Sequence, residues 1–195
     1  MPTTTDSTSR TAHLLALMRK GDDAFNARDF VAVDQVHHPD MVAHITGSPE
    51  PIYGRAAHAA AMQQMLRIFP DMHVYSDPYP IQFGSGDWIT VVTRATGTFT
   101  GEMPGPDGNV IAPTGKAFDV EFGQTTKWEG DQLILISAFW DAALQARQIG
   151  WRSSECGRPA PGAPSREPAS GSQSRKRQSA PGHIGQDRSP AARLL

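Results

Sequence analysis

The chain predicts an α+β fold: a curved antiparallel sheet wrapped around N-terminal helices, forming a cone-shaped α+β barrel. Three observations carry that prediction. Apolar residues recur at helical spacing up to Phe69, the pattern then alternates as strands do until Trp140, and no Phe, Tyr or Trp follows Trp151. Helices first and consecutive strands afterwards make an α+β architecture and not an alternating β-α-β one.

Residues 1–10 are polar and read as a flexible leader. Over residues 11–27, Leu14, Met18, Gly21 and Phe25 recur three and four apart, the stripe of a helix with one buried face. Asp29 is placed to cap a short second helix through Phe30, Val33 and Val36. His38-Pro39-Asp40 ends it, because the residue before proline avoids helical geometry. Residues 41–46 form a short extended run. A third helix spans residues 55–68, with His58, Met62, Met65, Leu66 and Phe69 on its buried side, and Pro70-Asp71 closes it.

Strands are then expected over residues 73–83, 88–100, 117–128 and 133–140. The turns Gly84-Ser85-Gly86-Asp87 and Glu129-Gly130-Asp131 contain the glycines that tight hairpins need. A longer loop spans residues 103–115, and a helical piece spans residues 142–149. The folded domain is therefore residues 11–151. Residues 152–195, crowded with Pro, Gly, Ser and Arg, are expected to be a disordered basic tail.

Charge divides at the same place. Residues 1–151 carry 17 Asp and Glu against 10 Lys and Arg, whereas residues 152–195 carry 8 Lys and Arg against 3 acids. An acidic domain presents no nucleic-acid footprint, and the short run Arg175-Lys176-Arg177 reads as a solvated stretch. The one cysteine, Cys156, rules out a disulfide framework. No apolar stretch resembles a signal peptide or approaches the ~20 residues of a membrane span, so a cytoplasmic protein without membrane contact is expected.

Among residues that could carry chemistry, Asp141 follows the apolar strand ending at Phe139-Trp140. By alternation it shares a face with Leu135, Ser137 and Phe139. If that face is inward, burial would raise the carboxyl pKa toward the range of a general acid–base group. Equally, Asp141 could simply cap the helix that begins at Ala142. Phe118, Val120, Phe122 and Gln124 form the inner row of their strand, which turns Asp119 and Glu121 outward. Gln124 is the polar group of that row before Thr126 and could hydrogen-bond a ligand carbonyl or simply bond to neighbouring backbone. His44 could line a cavity or be structural. His37 and His38 read as exposed at a helix end, and Tyr53, Tyr75 and Tyr79 as possible pocket donors whose loop or edge positions favour packing. No histidine pair has metal-site spacing. There is no phosphate-binding glycine loop and no Gly-x-Ser-x-Gly elbow, which leaves acid–base chemistry without a cofactor.

Several segments, in order, resemble the SnoaL-like polyketide and ester cyclases. They are His38-Pro39-Asp40-Met41-Val42, the Gly54 entry to the third helix, Phe69-Pro70-Asp71, Ala95 to Glu102, Pro113-Thr114-Gly115-Lys116, Trp140-Asp141 and Arg147-Gln148-Ile149-Gly150. The resemblance implies a nuclear-transport-factor-like or ketosteroid-isomerase-like fold, assembled as a homodimer or homotetramer. It also implies intramolecular aldol chemistry by a pocket aspartate, with no metal or coenzyme, on a small apolar or polycyclic carbonyl compound. That aspartate corresponds to Asp141. His44, Phe122, Gln124, Phe139 and Ala43 are the expected substrate-binding residues. Anthracycline-type cyclases carry Gln and His where Phe122 and Gln124 stand, and Asn where Ala43 stands, so the resemblance keeps the acid–base group and the pocket but does not extend to the anthracycline precursor as substrate. The rival readings are a non-catalytic binding protein, or an isomerase, dehydratase or hydroxylation helper on the same fold.

Overall fold

The computed structural model describes residues 4–105 and 108–151, and for residues 4–7 only the backbone. The expected tail lies outside the described residues. Helix α1 (Thr4–Asn26) begins inside the stretch expected to be a leader. Arg10 fastens this first part of the helix: its guanidinium donates to Asp87 Oδ1 at 3.0 and 3.1 Å and to the Gly130 carbonyl at 2.5 Å. Two hairpin turns thus anchor a segment whose composition alone suggests no structure.

Helix α2 (Phe30–Val36) is capped by Asp29, whose carboxylate accepts from Ala32 N at 3.0 Å. Strand β1 (His37–Ile45) follows directly, then β2 (Ile52–Tyr53) and α3 (Arg55–Ile68). The strand expected over residues 73–83 is two pieces, β3 (His73–Val74) and β4 (Ile81–Ser85), with Pro78 and Pro80 between them. Proline cannot donate to a strand ladder, so the break falls there. After β5 (Trp88–Thr98), the long loop contains a small hairpin, β6 (Met103–Pro104) and β7 (Val110–Ile111). Then come β8 (Ala117–Glu129), β9 (Gln132–Trp140) and α4 (Ala142–Gln148).

The main sheet runs β2-β1-β9-β8-β5-β3, with β4 also paired to β5. It is curved and unclosed. Every pairing is antiparallel except β1 with β9, which is parallel and was not foreseen. No helix among the described residues is long and apolar enough to cross a membrane.

On β8 the alternation holds except at Gly123, which is also buried. Phe118, Val120, Gln124, Thr126 and Trp128 are buried, while Asp119 and Glu121 are exposed, Asp119 pairing with Arg94 across the outer face. On β9 a bulge interrupts it. Lys127 faces Leu135 but the next β8 residue, Trp128, faces Leu133, so Ile134 is the extra residue. A bulge shifts side-chain phase by one. Leu133 points inward, and beyond the bulge the inward set is Ile136, Ala138 and Trp140.

The interior divides into two apolar clusters. One gathers Phe25, Val33, Phe69, Val74, Phe99 and Phe118; the other gathers Leu14, Met18, Met41, Ile89, Trp128 and Leu133. Helix α1 contributes to both, and a cavity lies between them.

Candidate active site

The cavity is lined by members of both clusters, including Met18, Phe25, Val120, Trp128 and Ile136. Its volume of about 180 Å³ is an order of magnitude above the ~10–15 Å³ that a single water needs. The wall is overwhelmingly apolar, with a few polar side chains placed in it: Asp22, Gln124, His37 and His58 among them. That composition suits a small molecule with an apolar body and few polar groups.

Asp22 is the cavity's carboxylate. It stands four residues after Met18 and three before Phe25, so the helical period carries it onto the buried stripe of α1. Its residue exposure is 8%. Tyr79 Oη donates to Asp22 Oδ2 at 2.7 Å, and Gln124 Nε2 donates to Oδ2 at 3.1 Å and to Oδ1 at 3.2 Å. Burial pushes the carboxyl pKa from 3.8 up to about 6, against the lowering effect of the Tyr79 and Gln124 hydrogen bonds, with neighbouring Asp23 adding a further push upward. Burial and the Asp22 charge raise the Tyr79 pKa as well, so the phenol stays protonated. The result is a carboxyl group that holds or releases a proton near neutral pH, oriented by two donors.

Asp141 is placed otherwise. The expectation that it turns inward is corrected: the residue is exposed and is not on the cavity wall. Its Oδ1 accepts from Leu144 N at 2.8 Å as the N-cap of α4. It does share a face with Phe139 and Ser137, but the bulge at Ile134 makes that the outer face. Phe139 is 45% exposed and lies across Gly123, its cross-strand partner. A side chain at residue 123 would occupy the space of that ring, which is why a glycine stands there. His44 is also exposed; it sits beside Ser137 and Phe139 in a shallow outer groove with Pro49, Glu50 and Pro51. Ala43 is fully buried in the cluster around Leu14 and Met41 and does not reach the cavity. Phe122 and Gln124 are on the cavity wall.

Sequence reasoning missed Asp22 and the pairing of His37 with His58, while Tyr79, read there as a possible pocket donor or a packing residue, donates to Asp22. His37 was expected to be exposed at a helix end; instead it is buried at the start of β1, facing His58 of α3 with ring centroids 5.1 Å apart. Burial lowers the His37 pKa to about 3 and the His58 pKa to about 4, the neighbouring His58 and Arg55 adding to the effect on His37. Both imidazoles are therefore neutral at ordinary pH. Among the described residues no three His, Cys, Asp or Glu side chains are grouped to hold a metal ion.

The fold matches solved structures at low identity. A polyketide-cyclase candidate, IdmH from Streptomyces antibioticus, is 21% identical over 69% of this chain and 96% of its own, with a TM-score of 0.59. A hydroxylase candidate, AclR from Streptomyces galilaeus, is 18% identical over 73% of this chain and 87% of its own, with a TM-score of 0.60. A protein with a ketosteroid isomerase-like fold from Catenulispora acidiphila, in complex with trimethylamine, is 13% identical over 70% of this chain and 93% of its own, with a TM-score of 0.57. No curated protein matches this sequence. The sequence profile of the SnoaL-like polyketide cyclases matches residues 15–149, nearly the whole of the described domain. The chain belongs to the SnoaL-like polyketide cyclase family.

Proposed function

We propose that this protein is a cyclase-type enzyme in which Asp22 moves the proton, on an apolar carbonyl compound enclosed in the cavity. The observation that supports this most is one carboxyl group, buried in an apolar wall, with its pKa raised to about 6. An acid–base group works best when its pKa lies near the working pH. Asp22 meets that requirement, and the acid–base role that the family resemblance gave to Asp141 passes to it.

In this reading the ionised Asp22 takes a proton from a carbon next to the substrate carbonyl. The resulting enolate carbon attacks a second carbonyl carbon of the same molecule, forming the ring bond. The new alkoxide then takes the proton back from the Asp22 carboxyl, so the carboxylate is regenerated and nothing is consumed. Gln124 and Tyr79 hold the carboxylate in place through their hydrogen bonds to it. The apolar wall keeps bulk water from quenching the enolate.

The test follows the first half of that sequence and needs no knowledge of the natural substrate. Proton–deuterium exchange at the activated carbon of bicyclic aromatic β-keto esters is followed by NMR in deuterated buffer. The wild type accelerates exchange, and Asp22→Asn loses ~10²–10⁴-fold of that acceleration. Full exchange activity in Asp22→Asn refutes the assignment.

A further inference from the structure

A second amide faces the cavity, and the proton transfer at Asp22 leaves it idle. Gln145 stands in α4, half-buried on the cavity wall. Trp140 Nε1 donates to Gln145 Oε1 at 2.8 Å, and the indole packs against Phe122 with ring centroids 6.0 Å apart. An indole N–H can only donate, so the amide atom that meets it is the oxygen. That fixes the amide: Oε1 is taken and Nε2 is the free end. Among the described residues Nε2 has no hydrogen-bond partner, and it is not one of the buried atoms sealed away without one. The far end of α4 is pinned separately. Gln148 Nε2 donates to the Asp119 carbonyl at 3.0 Å, its Oε1 accepts from Asp119 N at 2.9 Å, and Thr114 Oγ1 donates to the Ile149 carbonyl at 2.6 Å.

The neighbouring donors of the wall are engaged. Gln124 Nε2 gives both its contacts to Asp22, and Ser48 Oγ donates to the Glu50 carbonyl at 2.7 Å. The imidazoles of His37 and His58 face one another, and the Nδ1 of each is sealed in. Among the described residues no Lys or Arg lines the cavity. A cation there would pair with Asp22 and draw its pKa down. A neutral amide can meet a developing negative charge without disabling the base. The placement fits as well. Phe122 and Gln124 follow one another on the inner face of β8, about 7 Å apart. Gln124 holds Asp22, and Phe122 is the cross-strand partner of Trp140, which holds Gln145. The carboxylate and the free N–H therefore occupy neighbouring stations on one wall. An enolisable carbonyl compound needs both: a base beside its C–H, and a donor ~3 Å from the oxygen that collects the charge.

We propose that Gln145 is a catalytic residue, its Nε2–H donating to the substrate carbonyl oxygen on which the enolate charge settles. As Asp22 takes the proton, the C–H electron pair forms a C=C bond and the carbonyl π pair moves onto that oxygen. Both shifts reverse when the carbon forms its next bond, so nothing is consumed. The hydrogen bond to Gln145 strengthens as the charge grows, and so it lowers the barrier more than it aids binding. This rests on the proposed function, because enolate formation by Asp22 is the step it assists.

The test uses the full chain and the same bicyclic aromatic β-keto esters. Gln145→Met has a side chain of similar length without the N–H. It lowers kcat for proton–deuterium exchange by about 10²-fold and leaves KM within about threefold of the wild type. In wild-type protein labelled with ¹⁵N at glutamine, the bound ester moves the Gln145 side-chain amide resonance, identified by its absence from Gln145→Met. Full exchange by Gln145→Met, a loss confined to KM, or an amide resonance unmoved by bound ester overturns the proposal. Should Gln145→Met fail to fold, Gln145→Glu keeps the acceptor for Trp140, lacks the N–H and takes its place with the same expected loss. Exchange lost in Asp22→Asn but kept in Gln145→Met overturns this inference and leaves the proposed function standing. Exchange kept in Asp22→Asn but lost in Gln145→Met does the reverse, and an ester that the wild type does not exchange overturns both.

Discussion

Replacing Asp22 with Asn should make the protein more stable above pH 6 while lowering the proposed proton exchange by ~10²–10⁴-fold. The folded state holds the Asp22 proton to about pH 6, whereas an ordinary aspartate releases it near 3.8. A folded pKa raised in this way gives stability that is fully present below pH 3.8 and is lost as the pH rises through 6. The difference amounts to about 3 kcal/mol in all, most of it lost between pH 4 and 6. Asparagine carries no charge to desolvate, and its oxygen still accepts from Tyr79. The two histidines act in the opposite sense. Their folded pKa values are depressed to about 3 and 4, so their contribution is present above pH 6.5 and is lost on acidification. Urea unfolding of the wild type alone would mix the two effects, so the quantity to follow is the stability of Asp22→Asn minus that of the wild type at each pH. It should grow by about 2–3 kcal/mol between pH 4 and pH 7. Parallel stability curves over that range would refute a desolvated Asp22.

Asp141→Ala removes the N-cap of α4 and should cost about 1 kcal/mol in urea unfolding, while proton exchange stays at the wild-type level. A large loss of exchange would return Asp141 to the chemistry. Gly101→Ala should be far more damaging than its exposure suggests. An added Cβ would fall on the Arg67 backbone carbonyl, beside the Ile68 carbonyl that accepts from Gly101 N at 3.0 Å. Overpacking of this kind costs about 1–3 kcal/mol or more, a fall in melting temperature of roughly 4–10 °C by calorimetry.

Much of the fold was legible because local patterns agree with tertiary demands. The third helix, the Asp29 cap and the inner row of β8 follow directly from spacing and capping chemistry. The site was less legible, for two physical reasons. One bulged residue, Ile134, reverses the phase of β9, so alternation counted through Leu133 assigns Phe139 and Asp141 to the wrong face. Nothing in the composition of Leu133-Ile134-Leu135-Ile136 marks the bulge, since all four residues are apolar. Asp22, by contrast, left a signal. It falls on the Leu14–Met18–Phe25 stripe, where a carboxylate is out of place unless it has a partner or a purpose. His37 gave no such cue, because its burial comes from β1 pairing in parallel with β9, a long-range event that the neighbouring Pro39 disguises as a helix end.

Residues of both apolar clusters line the cavity, so its empty volume lies against each of them. A guest of the right shape would press on both oily masses at once, and the folded form would then gain stability in step with occupancy. Heat resistance thereby becomes a readout of recognition. A collection of aromatic compounds could be sorted by how far each raises the melting temperature, before any reaction has been identified.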